Sequence, residues 1–240
     1  MRFWRNAAIE SKASERLTEL GVRLGRPVEA PISIDLLVEG ILGLDFLWEE
    51  IDEEPGEVVL AYLCPDRRLV VMNERHQALF QRRPGLERFT VMHEAGHWDL
   101  FLRNVTTDHP RLFGDNDSSV SRERYRHLTR VTIPRALMKD PDGIELLTRI
   151  TSREDDKDER RVVNRYAAAI LMPSNLLRCD VQAREIRGWA DIYALADRYQ
   201  VTATAMKIRL EQLSISSIDE DGVVHASRAE REGQQRLFTQ

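Results

Sequence analysis

Two histidines and a glutamate that could do metal chemistry lie within five residues of each other, in the segment His93-Glu94-Ala95-Gly96-His97. In a helix, residues four apart project from one face. Two imidazoles at this spacing could reach one tetrahedral zinc ion at about 2.0–2.1 Å. Glu94 would flank the ion, about 100° around the helix, without filling a ligand position. The pattern therefore predicts a zinc site in which Glu94 activates a metal-bound water.

A catalytic zinc site also needs a third protein ligand, which must come from a distant part of the chain. We expect it at Glu159, on a second strongly predicted helix. Asn164 on that helix is a candidate to accept the outward N–H of a ligand histidine. A neighbouring carboxylate or a histidine could replace Glu159, although a solvated charge run or a surface histidine explains these residues more simply. The alternatives are Asp158, Asp155, Glu154, His109 and His127.

The elements that must position these residues follow from the spacing of apolar side chains. Residues 86–102 have apolar positions at helical intervals, which predicts the helix that carries both histidines. A small residue at Gly96 would let another segment approach that helix closely. The second strong helix is predicted over 158–171, closed by Met172-Pro173. The other predicted elements are helices over 7–25, 34–42, 189–199 and 202–213, a strand over 45–48, and a hairpin of strands 58–63 and 69–72.

Composition indicates a soluble globular protein. Hydrophobic residues make up 42% of the chain and charged residues 31%, with a formal net charge of -5. This balance does not favour a general nucleic-acid binder. The two cysteines lie far apart, which fits a reducing compartment. The N-terminal residues lack a signal-peptide core, and no apolar stretch approaches the roughly 20 residues of a membrane helix, so we expect a cytoplasmic protein.

In these motifs, the chain resembles the ImmA/IrrE family of metallopeptidases. The resemblance rests on three segments and covers residues from about 9 to 222. The first, Arg88 to Trp98, contains both histidines, and the second, Asn164 to Pro173, reads Asn-Arg-Tyr-Ala-Ala-Ala-Ile-Leu-Met-Pro. The third, Trp189 to Leu213, is an alanine-rich pair of helices.

The resemblance implies an α+β, zincin-like fold, with a small, mainly antiparallel sheet packed against the histidine helix and additional C-terminal helices. It also implies limited cleavage of a partner protein, often a helix-turn-helix repressor that controls mobile elements or stress genes. His93 and His97 match the family's metal ligands and Glu94 its catalytic acid. The family's third-ligand glutamate stands four residues before the asparagine, and Arg160 occupies that position here, directly after Glu159.

We expect a metallopeptidase core over residues 1–174, with an inserted segment at about 103–157. Residues 175–224 are expected to form a C-terminal helical part packed on this core, and the polar residues 225–240 a flexible tail. The metal is expected to be Zn²⁺, although Mn²⁺ suits the same ligands.

Two other functions stay open from the sequence. One is a non-catalytic interaction protein that retains a degenerate metal site, which Arg160 motivates. The other is a DNA-binding regulator, since residues 189–213 have the cadence of a helix-turn-helix in which Lys207 and Arg209 would face DNA. Packing of these helices on the core is the favoured interpretation.

Overall fold

The computed structural model describes residues 4–103, 131–134, 157–184, 186–218 and 223–225, with only the backbone given for 131–134 and 157–158. Most of the expected inserted segment and flexible tail, including Glu154, Asp155, His109 and His127, lies outside the described residues. The helices are α1 (Asn6–Leu24), α2 (Ile34–Leu37, continued by a π-turn over Val38–Leu42), α3 (Gln77–Arg82), α4 (Pro84–His97, continued by a π-turn over Trp98–Leu102), α5 (Lys157–Leu171), α6 (Ser174–Ala183), α7 (Trp189–Tyr199) and α8 (Ala203–Gln212). The strands are β1 (Asp45–Glu49), β2 (Glu57–Cys64), β3 (Leu69–Asn73), β4 (Val131–Pro134), β5 (Ser217–Ile218) and β6 (Val224–His225).

A small mixed sheet forms one layer of this α+β fold. Its strand order is β1-β3-β2-β4; β1 runs parallel to β3, whereas β2 is antiparallel to both β3 and β4. The run Val58 to Leu63 is buried at every position. A continuous apolar strand of this kind is covered on both faces, and one of the covering elements is α4, which packs on β2 and β3.

The helix that carries the two histidines is crossed closely by α5 at a glycine. A Cβ atom added to Gly96 would lie 2.9 Å from Cγ1 of Val163 and 3.2 Å from Cδ1 of Tyr166. Both distances are shorter than normal carbon contacts, so a larger residue here would push the helices apart. Gly96 therefore allows the close approach expected from the sequence.

Several expected elements have different bounds in the structure. The helix expected over 86–102 begins at Pro84, because proline is favoured in the first turn, and changes to a π-turn at Trp98. The strand β4 and the helix α6 were not expected. Pro173 was expected to close α5, and α5 does end just before it, at Leu171. Pro173 is also the N-cap of α6, so a new helix begins at Ser174.

Two of the contacts between the C-terminal helices and the rest of the chain lie at Gly85 and at Arg209. The backbone between α7 and α8 lies against Gly85 in the first turn of α4. On α8, the buried Arg209 donates to both carboxylate oxygens of Glu10 on α1, at 2.6 and 2.8 Å, and to the carbonyl of Met172 at 3.0 Å. Within the described ranges, no helix is long and apolar enough to span a bilayer.

Gly85→Ala is expected to destabilise the protein by about 1–3 kcal/mol through overpacking. The added Cβ would lie 2.8 Å from the carbonyl carbon of Val201 and 2.9 Å from the amide nitrogen of Thr202, both of them backbone atoms that cannot rotate away. Urea denaturation would measure the change in the free energy of unfolding. Gly188→Ala is the matched control, because nothing lies within 4 Å of the added atom. Equal stability of both variants would contradict the tight contact.

Candidate metal centre

The imidazoles of His93 and His97 converge on one face of α4. Their Nε2 atoms lie 3.2 Å apart, and the ring centroids lie 4.9 Å apart at an interplanar angle of 72°. Both side chains are buried. This is the convergence that spacing by four residues predicts for two ligands of a single ion.

Oxygen atoms from α5 hold the other nitrogen of each ring. Nδ1 of His93 donates to Oδ1 of Asn164 at 2.7 Å, and Nδ1 of His97 donates to Oε1 of Glu159 at 3.0 Å. Because both partners are acceptors, the protons of the neutral rings are on Nδ1, and the lone pairs of the two Nε2 atoms face each other. Outer hydrogen bonds of this kind fix the tautomer of a metal-binding histidine.

Two facing lone pairs repel each other unless a cation lies between them. Burial, the neighbouring His97 ring and the charge of Arg160 lower the pKa of His93 well below its usual range, against the hydrogen bond that the ring donates to Asn164, so a second proton is disfavoured there. Ligand nitrogens on a tetrahedral zinc ion are about 3.3 Å apart, close to the 3.2 Å found between the Nε2 atoms. The two rings therefore fit a divalent metal as ligands.

Glu94, which follows His93 on α4, is fully buried, and α4 packs on β2. Burial raises the pKa of Glu94 well above its usual range, against the charge of Arg160 and the backbone of Leu63, which favour the ionised form. Among the described residues, neither carboxylate oxygen has a hydrogen-bond partner of normal geometry. A buried carboxyl group without partners is costly for folding, which is typical of a group retained for chemistry.

Glu159, the expected third ligand, lies behind the His97 ring in this structure. Its carboxylate meets Nδ1, whereas the nitrogen that faces the centre is Nε2. In this position it orients the ring, and binding a metal would require it to move to the other side of the imidazole. Asp158 has no described side chain. No set of three or more histidine, cysteine or acidic side chains in the described parts of the chain is placed to share one metal ion.

The sequence did not predict that the charge of Arg160 would act on the metal centre. Its charge acts on both His93 and Glu94. The signal that could have located it is its spacing: it stands four residues before Asn164 on α5, and residues four apart share a helix face. The resemblance alone identified it only as a departure at a ligand position.

A buried ion pair fixes the end of the histidine helix. Arg16 on α1 donates from Nε and Nη2 to the carboxylate of Asp99, at 2.7 to 3.1 Å. The hydroxyl of Tyr166 on α5 donates to the same carboxylate at 2.7 Å. Asp99 stands two residues after His97, so this cluster joins three helices next to the centre.

In the helix-turn-helix-like pair α7–α8, the cationic side chains of Lys207 and Arg209 contact other residues of the protein. Arg209 is bound by Glu10 and Met172, and Nζ of Lys207 lies over the ring of Trp189 on α7, 5.7 Å from its centroid. These are the two side chains that a DNA-reading interpretation requires to face a groove.

Comparisons with known proteins identify no family. No protein-family model and no curated protein matches the chain. Among solved structures, the chain is similar to a Mycobacterium tuberculosis transcriptional regulator, with 12% identity and a TM-score of 0.48. The alignment covers 91% of this chain and 54% of that one, so the chain spans about half the length of the structure it matches.

Proposed function

We propose that this chain is a zinc-dependent metallopeptidase that makes limited cuts in a partner protein. One observation carries the proposal: two buried Nε2 atoms face each other at 3.2 Å, while the Nδ1 atom of each ring donates to an oxygen of α5. The resemblance to the ImmA/IrrE family supports a helix-turn-helix repressor as the partner and a role in transcription regulation. Manganese is the alternative metal.

Within the proposal, His93 and His97 hold the ion and Glu94 moves the proton. A zinc ion held there would acidify water and polarise a peptide carbonyl. Glu94 takes a proton from the attacking water and returns it to the leaving amine, and its raised pKa brings it closer to the range in which a carboxyl does both. The carboxylate needs no ligand position for this role, since it lies to one side of the rings.

The third protein ligand of the metal is also part of the proposal. Glu159 orients His97 and Asn164 orients His93, in keeping with their contacts to the Nδ1 atoms. Glu159 is also proposed as the third ligand, after moving from Nδ1 to the ion. The aspartate and histidine alternatives of the sequence are the other candidates for that position.

A second function is favoured by one observation, the charge of Arg160 at the centre. A non-catalytic interaction protein could keep the two histidines as a structural remnant with little affinity for metal. Zinc content separates this alternative from the enzyme, because only the enzyme requires an occupied site.

The metal centre is tested by zinc content. Purified wild-type protein, dialysed to equilibrium against excess free zinc, is expected to bind about one zinc per chain, whereas His97→Ala is expected to bind little, because removing one of so few ligands leaves too few to hold the ion. Elemental analysis by mass spectrometry gives the ratio of zinc to protein.

The matched control is His76→Ala, since His76 hydrogen-bonds Glu53 away from α4. It should keep the wild-type ratio. Wild-type protein without zinc after dialysis would contradict the metallopeptidase and support the non-catalytic alternative.

A further inference from the structure

Arg160 lies between the two residues of α5 that hold the histidine rings. Glu159 precedes it and contacts Nδ1 of His97 at 3.0 Å; Asn164, one turn later, contacts Nδ1 of His93 at 2.7 Å. Residues four apart project from the same helix face. The side of α5 that supplies the outer partners of both rings therefore also presents a guanidinium group, which is always charged.

Arg160 is close enough to act on the centre electrostatically. Its charge helps to lower the pKa of His93 and opposes the rise in the pKa of Glu94, so it is felt by a ligand ring and by the buried carboxyl group. The side chain is only partly exposed. A charge in such a position is screened less by solvent and salt than one on the surface.

A divalent cation between the two Nε2 atoms would experience this charge as repulsion. Two like charges repel each other more strongly where solvent screening is weak, as at a partly buried site. Glu159, the carboxylate that contacts the rings, lies at Nδ1 of His97, on the other side of the imidazole from the Nε2 atoms. The residue that follows Glu159 on α5 is a cation, Arg160.

We infer that Arg160 sets the metal affinity of this centre and keeps it low, so that the site is filled reversibly according to the metal supply. The inference rests on the proposed metal centre. It gives Arg160 a regulatory role, because occupancy, and with it any activity, then responds to available zinc. A site with a neutral residue at position 160 would stay filled.

Zinc affinity of five proteins tests this inference: wild type, Arg160→Gln, Arg160→Glu, Arg160→Lys and Arg161→Gln. Competition with a chromophoric chelator measures the dissociation constants, and Co²⁺ absorption reports the coordination number. Arg160→Gln is expected to bind zinc about 10-fold or more tightly than wild type, because the repulsion is gone. Arg160→Glu is expected to bind more tightly still, with a more intense Co²⁺ spectrum, since it adds a carboxylate on the same helix face.

Arg161→Gln is the matched control, because Arg161 is exposed on the same helix and its loss changes the net charge equally. It should bind zinc as wild type does. Arg160→Lys, which keeps the charge, should also stay within about threefold of wild type and guards against misfolding of the neutral variants.

Two results would overturn the inference alone: equal zinc affinity of wild type and Arg160→Gln, even if Arg160→Glu binds more tightly, or an equal gain in Arg161→Gln. In either case the metal centre of the proposed function would stand. Failure of all the proteins to bind zinc or Co²⁺ would overturn the proposed metal centre and the inference together.

Discussion

Glu94→Gln is expected to keep its zinc and to lower the rate of peptide cleavage by about 10²–10⁴-fold, the usual contribution of a positioned proton carrier. Glutamine has the shape of glutamate but cannot take a proton from water. The variant should fold, because Glu94 makes no hydrogen bond of normal geometry to any described residue that the substitution would break. Initial rates on a quenched-fluorescent peptide library, with zinc content measured in parallel, give the comparison.

Glu87→Gln is the matched control for this prediction. It removes a carboxylate from the first turn of the same helix, and we expect wild-type rates. A Glu94→Gln protein that cleaves as fast as wild type would exclude the proton-transfer role. The inactive variant also gives a means to find the partner, since a bound substrate would not be released by cleavage and could be captured from an extract.

Arg16→Met is expected to lower the free energy of unfolding by about 3–5 kcal/mol, because it leaves the carboxylate of Asp99 buried without its main counter-charge. Arg16 donates three hydrogen bonds to that carboxylate, and Tyr166 supplies one more. Methionine preserves most of the volume of the arginine stem, so the loss reports charge and hydrogen bonding. Urea denaturation at neutral pH measures it.

Three further variants make this result specific: Lys12→Met, Asp99→Asn, and Asp99→Asn combined with Arg16→Met. Lys12→Met breaks an exposed ion pair with Glu15 on the same helix and should change stability by less than about 1 kcal/mol. Adding Asp99→Asn to Arg16→Met should restore part of the lost stability, because the unpaired charge is gone. A double variant as unstable as the sum of the two single variants would mean that the ion pair is not coupled.

The sequence predicted most of the elements in which the spacing of apolar residues matches the spacing of buried positions. α1 is an example, since Ile9, Ala13 and Leu20 are buried at helical spacing and Gly25 ends the helix in a left-handed conformation. The strands β2 and β3 were predicted by continuous β-branched and apolar runs. The parallel pairing of β1 with β3 was not predicted, because pairing depends on contacts between distant segments that local patterns do not encode.

At the centre, the spacing of the histidines predicted that both rings would point the same way. It could not predict which nitrogen of each ring would face the partner ring, because that depends on acceptors supplied by α5, more than 60 residues away. Adjacent residues on a helix differ by about 100° in direction. The helix phase that brings Glu159 behind His97 and places Arg160 next to the centre is therefore fixed by the packing of α5 on α1 and α4, including its close approach to Gly96.

The contact between Arg209 and Glu10 makes the first and the last described helices depend on each other. These residues stand 199 positions apart in the chain, yet the guanidinium of one is held by the carboxylate of the other inside the protein. A ribosome therefore adds the partner of Glu10 only 199 residues after Glu10 itself. Until then, α1 would have an acidic side chain without its counterpart, and the nascent chain would lack part of the packing that holds the histidine helix in place.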